Sequence, residues 1–176
     1  VSHGKRKGLW QGMELGATWA GSSELGWIGH AIWLNRWPLL GKGFSEIGIG
    51  LGWATSPFDP LKAPRSFALG SHVNAALRVN IGYAWNIRQL GQISLSGGLT
   101  HFSNGAIVLP NLGINVIGVQ CTVSPRVLES LRPTKIAETQ FETKQGLCFE
   151  TTVRFGVRDI GLPRGVLHPT STWMSS

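Results

Sequence analysis

The sequence predicts an all-β fold, an antiparallel up-and-down transmembrane β-barrel of about eight strands. Three observations point there. Apolar residues alternate with polar or small ones at a period of two over stretches of roughly 10 to 15 residues, whereas strands of soluble domains average about 5 to 6. The positions between them are mostly Gly, Ala, Ser and Asn rather than Lys and Glu, as a narrow interior filled by side chains requires. Trp and Tyr stand at the ends of the apolar faces, where a bilayer holds its interfacial aromatics. Composition agrees: the 176 residues include 24 Gly and 8 Trp, with 42% apolar and only 14% charged residues. Ordinary soluble domains carry about 7% Gly and about 25% charged residues. So much apolar surface excludes a disordered chain, and the glycines follow no three-residue collagen period. No window of about 18 residues is free of polar side chains, which argues against membrane helices.

The strands follow in order. In 9–20, Leu9, Met13, Leu15, Ala17 and Trp19 oppose Gly12, Glu14, Gly16 and Thr18. The second, 25–36, is the weakest, because Ile28, Ile32 and Leu34 share a face with His30 and Arg36. In 44–55, Ile47, Ile49, Leu51 and Trp53 oppose Glu46, Gly48, Gly50, Gly52 and Ala54. The longest, 71–87, sets Val73, Ala75, Leu77, Val79, Ile81, Tyr83 and Trp85 against His72, Asn74, Arg78, Asn80 and Asn86. Strands at 91–103, 113–123 and 148–158 complete seven, and the tail Leu167–Ser176 begins an eighth. Segment 124–147, with Pro125 and Pro133, has no clean period and reads as a long loop or a poorly patterned strand. The whole chain, 1–176, reads as one barrel domain; no signal peptide opens it, so either one was removed or the chain is a piece of a longer sequence, and the Ser-Ser ending reads as a truncation.

A soluble sandwich would turn the apolar faces inward; a membrane barrel turns them to lipid and the polar faces into the lumen. The barrel reading makes Glu14, Glu46, Arg78, Asn80, Glu150 and Arg154 a hydrogen-bonded interior plug, with His72 and Asn74 also facing inward as packing. Trp19, Trp53 and Trp85 become girdle residues. Lys and Arg exceed Asp and Glu by 16 to 9, which suits an anionic partner. The basic residues are scattered, without the aromatic interleaving of a nucleic-acid groove. Cys121 and Cys148 fall on opposite strand faces, so no disulfide is expected. His3, His30, His72, His101 and His168 are too dispersed for a metal cluster, and no cofactor is implied.

One stretch breaks the pattern. On 91–103 the apolar face of Ile93, Leu95 and Leu99 ends in His101 and Ser103, and on the returning strand the same face begins with Asn115. A hairpin centred near Val108 sets 101 opposite 115 and 103 opposite 113, which clusters His101, Ser103 and Asn115 on one outward patch. A Ser hydroxyl, a His to take its proton and a third group to orient the imidazole is the arrangement of nucleophilic acyl transfer. Spacing alone leaves a second reading, polar residues at the level where the strand leaves hydrocarbon.

The run His101-Phe102-Ser103-Asn104-Gly105, continuing through Pro110-Asn111-Leu112-Gly113-Ile114-Asn115, resembles the PagL family of outer-membrane lipid A 3-O-deacylases. It is most similar to the family's acyloxyacyl hydrolase relatives of Bacteroidetes type. Gly43–Pro60 and Ala68–Tyr83 share the likeness, which spans roughly residues 40–160. The resemblance implies an eight-stranded outer-membrane barrel that cleaves an ester-linked acyl chain from lipid A in the outer leaflet. It makes Ser103 the nucleophile and His101 the general base, with the Asn104 side chain and a backbone N–H near Ala106 as the oxyanion hole. The implied partners are lipid A or lipopolysaccharide and outer-membrane lipid, with room for a homodimer and none for nucleic acid. Asn115 stands where the best-known member has an acid; it can orient the imidazole but supplies no negative charge. Asn is usual there among the Bacteroidetes-type relatives, so the position reads as a variant. The runner-up is an impaired or non-enzymatic outer-membrane barrel with a structural or adhesin-like role.

Overall fold

A computed structural model of the chain describes residues 10–64, 66–87, 91–125, 151–159 and 168–175. All regular structure among them is β: β1 Trp10–Trp19, β2 Trp27–Pro38, β3 Gly43–Ala54, β4 Val73–Ile87, β5 Gly91–Ser103, β6 Ile114–Pro125, β7 Thr151–Asp159 and β8 His168–Ser175. Each strand pairs antiparallel with the next, and β8 returns to pair with β1 from Leu15↔Ser175 to Trp19↔Ser171, so the order closes on itself. The all-β antiparallel expectation holds, and each strand foreseen is present with ends moved by a few residues. Residues 126–147 of the unpatterned segment, along with Glu150, Cys148 and His3, lie outside the described residues.

The alternation resolves into an inside and an outside, and the apolar side is outside. Ile49 and Leu51 on β3 are each 61% exposed, and Val79 and Ile81 on β4 more than half, while Glu46 and Arg78 on the other face of the same strands are sealed at 0% and 1%. A water-soluble sheet would show the reverse. β2 follows the same rule, which explains its weak pattern: Ile28, His30, Ile32 and Leu34 all face inward and Trp33 faces out. A small closed sheet needs sharply curved strands, and paired inward glycines permit it. Gly118 and Gly156 face each other across β6 and β7, and a Cβ on Gly156 would lie 2.2 Å from the Ile117 carbonyl oxygen.

The interior has two layers. Glu14 pairs with Arg78 and with His30 (3.2 Å), and Arg78 also donates to Thr100 (3.0 Å). Glu46 accepts from Arg36 (2.8 Å) and Asn80 (2.8 Å), while Arg154 donates to Asn80 (3.1 Å), Thr100 and Gln120. This is the plug expected from the strand parities, with each described member partnered. Above it, toward the ends of β3, β5 and β7, lies an apolar layer of Ile28, Ile32, Phe102, Ile114 and Val116, capped by Ala68 and Leu69 from the loop that joins β3 to β4.

His72 departs from expectation. β4 begins at Val73, so His72 precedes the alternation; it is exposed, stacked on Trp53 at 5.0 Å, and its Nδ1 meets the Ala54 carbonyl at 2.7 Å. Asn74 does face inward, at 1% exposure.

Candidate active site

The β5–β6 hairpin brings His101 and Asn115 together and sets Ser103 on the same face. His101 pairs in register with Asn115, and Phe102 between His101 and Ser103 is fully buried, so His101 and Ser103 share the outward face. Both are half-buried at the rim, beside outward Ala75 and Leu77 of β4, their register partners. The loop after Ser103 presents exposed Ile107, Val108, Leu109 and Leu112, with Phe67 of the β3–β4 loop nearby in the fold. The patch is polar at its centre and apolar around it, as a site that meets an acyl chain needs.

The imidazole is oriented by an amide. His101 Nδ1 lies 2.7 Å from Asn115 Oδ1. An amide oxygen only accepts, so Nδ1 carries the proton and Nε2 keeps its lone pair, the tautomer a general base needs. Gly113 (φ 73°) presses on the other side: a Cβ there would meet His101 Cε1 at 2.8 Å. The loop end is held by Gly113 N donating to the Ala68 carbonyl (2.9 Å).

Ser103 Oγ accepts from the Gly105 backbone N–H (3.1 Å) and from Asn111 Nδ2 (2.8 Å). With both lone pairs engaged, its own O–H remains to donate. The direct Ser103–His101 hydrogen bond is not formed among the described residues; unliganded sites commonly close that bond only on binding substrate. Gly105 and Ala106 both take the left-handed conformation (φ 66° and 62°), which turns the backbone back over the serine. For Ala106 this costs roughly 1–2 kcal/mol, strain held by the hairpin around it.

Asn104 sits elsewhere than the sequence suggested. Its even position turns the side chain inward to 8% exposure, and its two amide hydrogens go to Ser71 Oγ (3.0 Å) and the Val108 carbonyl (2.8 Å). It braces the loop, and the side-chain donor at Ser103 is Asn111. Asn111 lies within the motif, but nothing in the sequence gives it a role. The available signal was parity, since 104 falls on the inward face of 91–103.

With this geometry in view, comparison by sequence is decisive. The chain matches the PagL family, lipid A 3-O-deacylase, over residues 6–124, about two-thirds of its length. It belongs to the PagL family. The match contains His101, Ser103, Asn111 and Asn115, so the resemblance carried by the hairpin motif is shown at the level of the family. No curated protein and no solved structure matches the chain. PagL family membership brings hydrolase chemistry on lipid A as the general reaction.

Proposed function

We propose that this chain is an outer-membrane serine esterase that removes an ester-linked acyl chain from lipid A. The observation that carries the reading is the convergence of an oriented imidazole and a doubly held serine hydroxyl on the rim of an outward apolar face. That face supports an eight-stranded barrel crossing the bilayer, since apolar side chains exposed along whole strands need lipid to cover them. Substrate then reaches the site by lateral diffusion, and no deep pocket is required.

In the reaction, Ser103 Oγ attacks the ester carbonyl as His101 Nε2 takes its proton. The tetrahedral oxyanion is held by Asn111 Nδ2 and by a backbone N–H of the Gly105-Ala106 turn. The sugar hydroxyl leaves with the proton from His101, giving an acyl-serine. His101 then deprotonates water, which releases the fatty acid and restores Ser103. Asn115 keeps Nδ1 protonated throughout. Mass spectrometry of lipid A from cells expressing the chain tests this: one acyl group is lost, and lipid A of unchanged mass refutes the activity.

Two variants probe the parts. Asn111→Ala removes an oxyanion donor and is expected to lower kcat on the order of 100-fold, the usual loss for one such donor. Asn104→Ala should instead act through loop stability, so equal kcat losses at both positions would refute the assignment to Asn111. Gly113→Ala pushes the His101 ring and strains φ; a displacement near 1 Å is expected to reduce activity on the order of 100-fold with the barrel intact. Wild-type rates for Gly113→Ala would show that the ring position is not critical. Asn115 is the feature that favours the impaired-barrel alternative, because it brings no charge to the imidazolium.

A further inference from the structure

The missing charge has a candidate source one strand away. Asn115 pairs in register with Asp159, the last residue of β7, so Leu77, His101, Asn115 and Asp159 form one row across four strands. Asp159 shares strand parity with Val157 and with Phe155, which is 66% exposed, and so lies on the outward face with His101. Among the described residues it is the only carboxylate on an outward strand position: Glu14 and Glu46 are sealed inside. It also lies beyond residues 6–124, outside the stretch that matches the family.

The row beneath, facing inward, is Arg78, Thr100, Val116 and Arg158. Arg78, which is paired with Glu14, and Arg158 are both buried on that inward face. An imidazolium forming at His101 is stabilised by a negative group on its own side of the sheet, and Asp159 is the carboxylate in its row.

We infer that Asp159 is a positioning residue that works through Asn115, an inference that rests on the esterase reading above. Asn115 Oδ1 faces His101 Nδ1 and its Nδ2 is not bonded to Asp159 in the unliganded structure; in the inferred working arrangement Nδ2 donates to the Asp159 carboxylate at its register position. That carboxylate decides which way the amide points. A carboxylate accepts and never donates, so it holds Nδ2 toward β7 and Oδ1 toward the histidine. With the amide reversed, Nδ2 would face Nδ1, the proton would move to Nε2, and His101 would lose its basic nitrogen. The same bond polarises Oδ1, and the carboxylate's charge reaches the imidazolium across two strand spacings, about 10 Å.

The test uses the full chain, purified in detergent, with lipid A in mixed micelles as substrate. D159N is expected to lower kcat about 10- to 30-fold with little change in KM, the size of one charge acting at that distance in a partly screened site. D159E should keep most of the rate. In an N115D background, which sets an acid directly on His101, Asp159 becomes a like-charged neighbour, so D159N should raise activity instead of lowering it. Heat-modifiable gel migration shows that each variant is folded. Wild-type kcat in D159N overturns the inference, as does the same loss in both backgrounds, the mark of a purely structural role. An inactive wild-type chain would refute the esterase reading itself.

Discussion

Ser103→Ala is expected to abolish acyl release while the barrel stays folded. Lipid A from cells expressing the variant should keep the mass of lipid A from cells lacking the protein, whereas wild-type lipid A loses one acyl chain. Losing a triad nucleophile elsewhere lowers kcat on the order of 10⁶-fold, and the residual rate reflects oxyanion binding alone. Folding should be nearly untouched. Ser103 is half-buried at a strand end, and its Oγ receives two hydrogen bonds, from Gly105 N–H and Asn111 Nδ2, each worth about 1 kcal/mol net. Alanine keeps the strand parity and the Ala75↔Ser103 pairing position. Acyl loss equal to wild type in Ser103→Ala would sink the serine mechanism, and unchanged lipid A in both would favour the non-enzymatic alternative.

The second large effect lies inside the sheet. Glu14 is 2% exposed and is shared by Arg78 and His30, while Arg154 approaches Thr100 from the other side of the same layer. Glu14→Gln leaves Arg78 buried without its carboxylate beside a second arginine. Breaking a buried pair from one side costs about 3–5 kcal/mol. The folded, heat-modifiable band should therefore disappear at a distinctly lower temperature or urea concentration. Replacing Arg78 by methionine in the same chain should recover much of the loss, since removing both charges removes the uncompensated one. A Glu14→Gln barrel that unfolds like wild type would show that the plug is not what holds the interior. The lipid A mass and the heat-modifiable gel band together separate the site from the scaffold: Ser103→Ala should lose activity with stability kept, and Glu14→Gln should lose stability first.

The strands were legible because their signal is local. Residues two apart share a face whatever the rest of the chain does, so Val73 to Trp85 announced one apolar surface without any knowledge of its neighbours. His72 failed the same test because parity was extended one residue too far: the strand starts at Val73, and the imidazole instead stacks on Trp53. The His101–Asn115 pairing was also legible, since a hairpin of short span carries its own register. Asn111 was not, because it stands in a loop without a period, and only the fold-back over Ser103 shows where its amide lands. The oxyanion role of Asn104 rests on likeness to a motif alone, and its even position already points inward.

By itself, then, the sequence determined the all-β class, which face of each strand is apolar, and that His101 and Asn115 of one hairpin meet. The tertiary structure decided which of two faces is the outside, and it did so by sealing Arg78 and Glu46 while leaving Ile49 and Leu51 bare. It also decided the partners that lie far apart in the chain: Arg78 with Glu14, Arg154 with Asn80, and Asp159 beside Asn115. Alternation follows from the pleat of a single strand. Which residues meet around a closed sheet depends on the stagger of every strand on the next, a property no single segment contains.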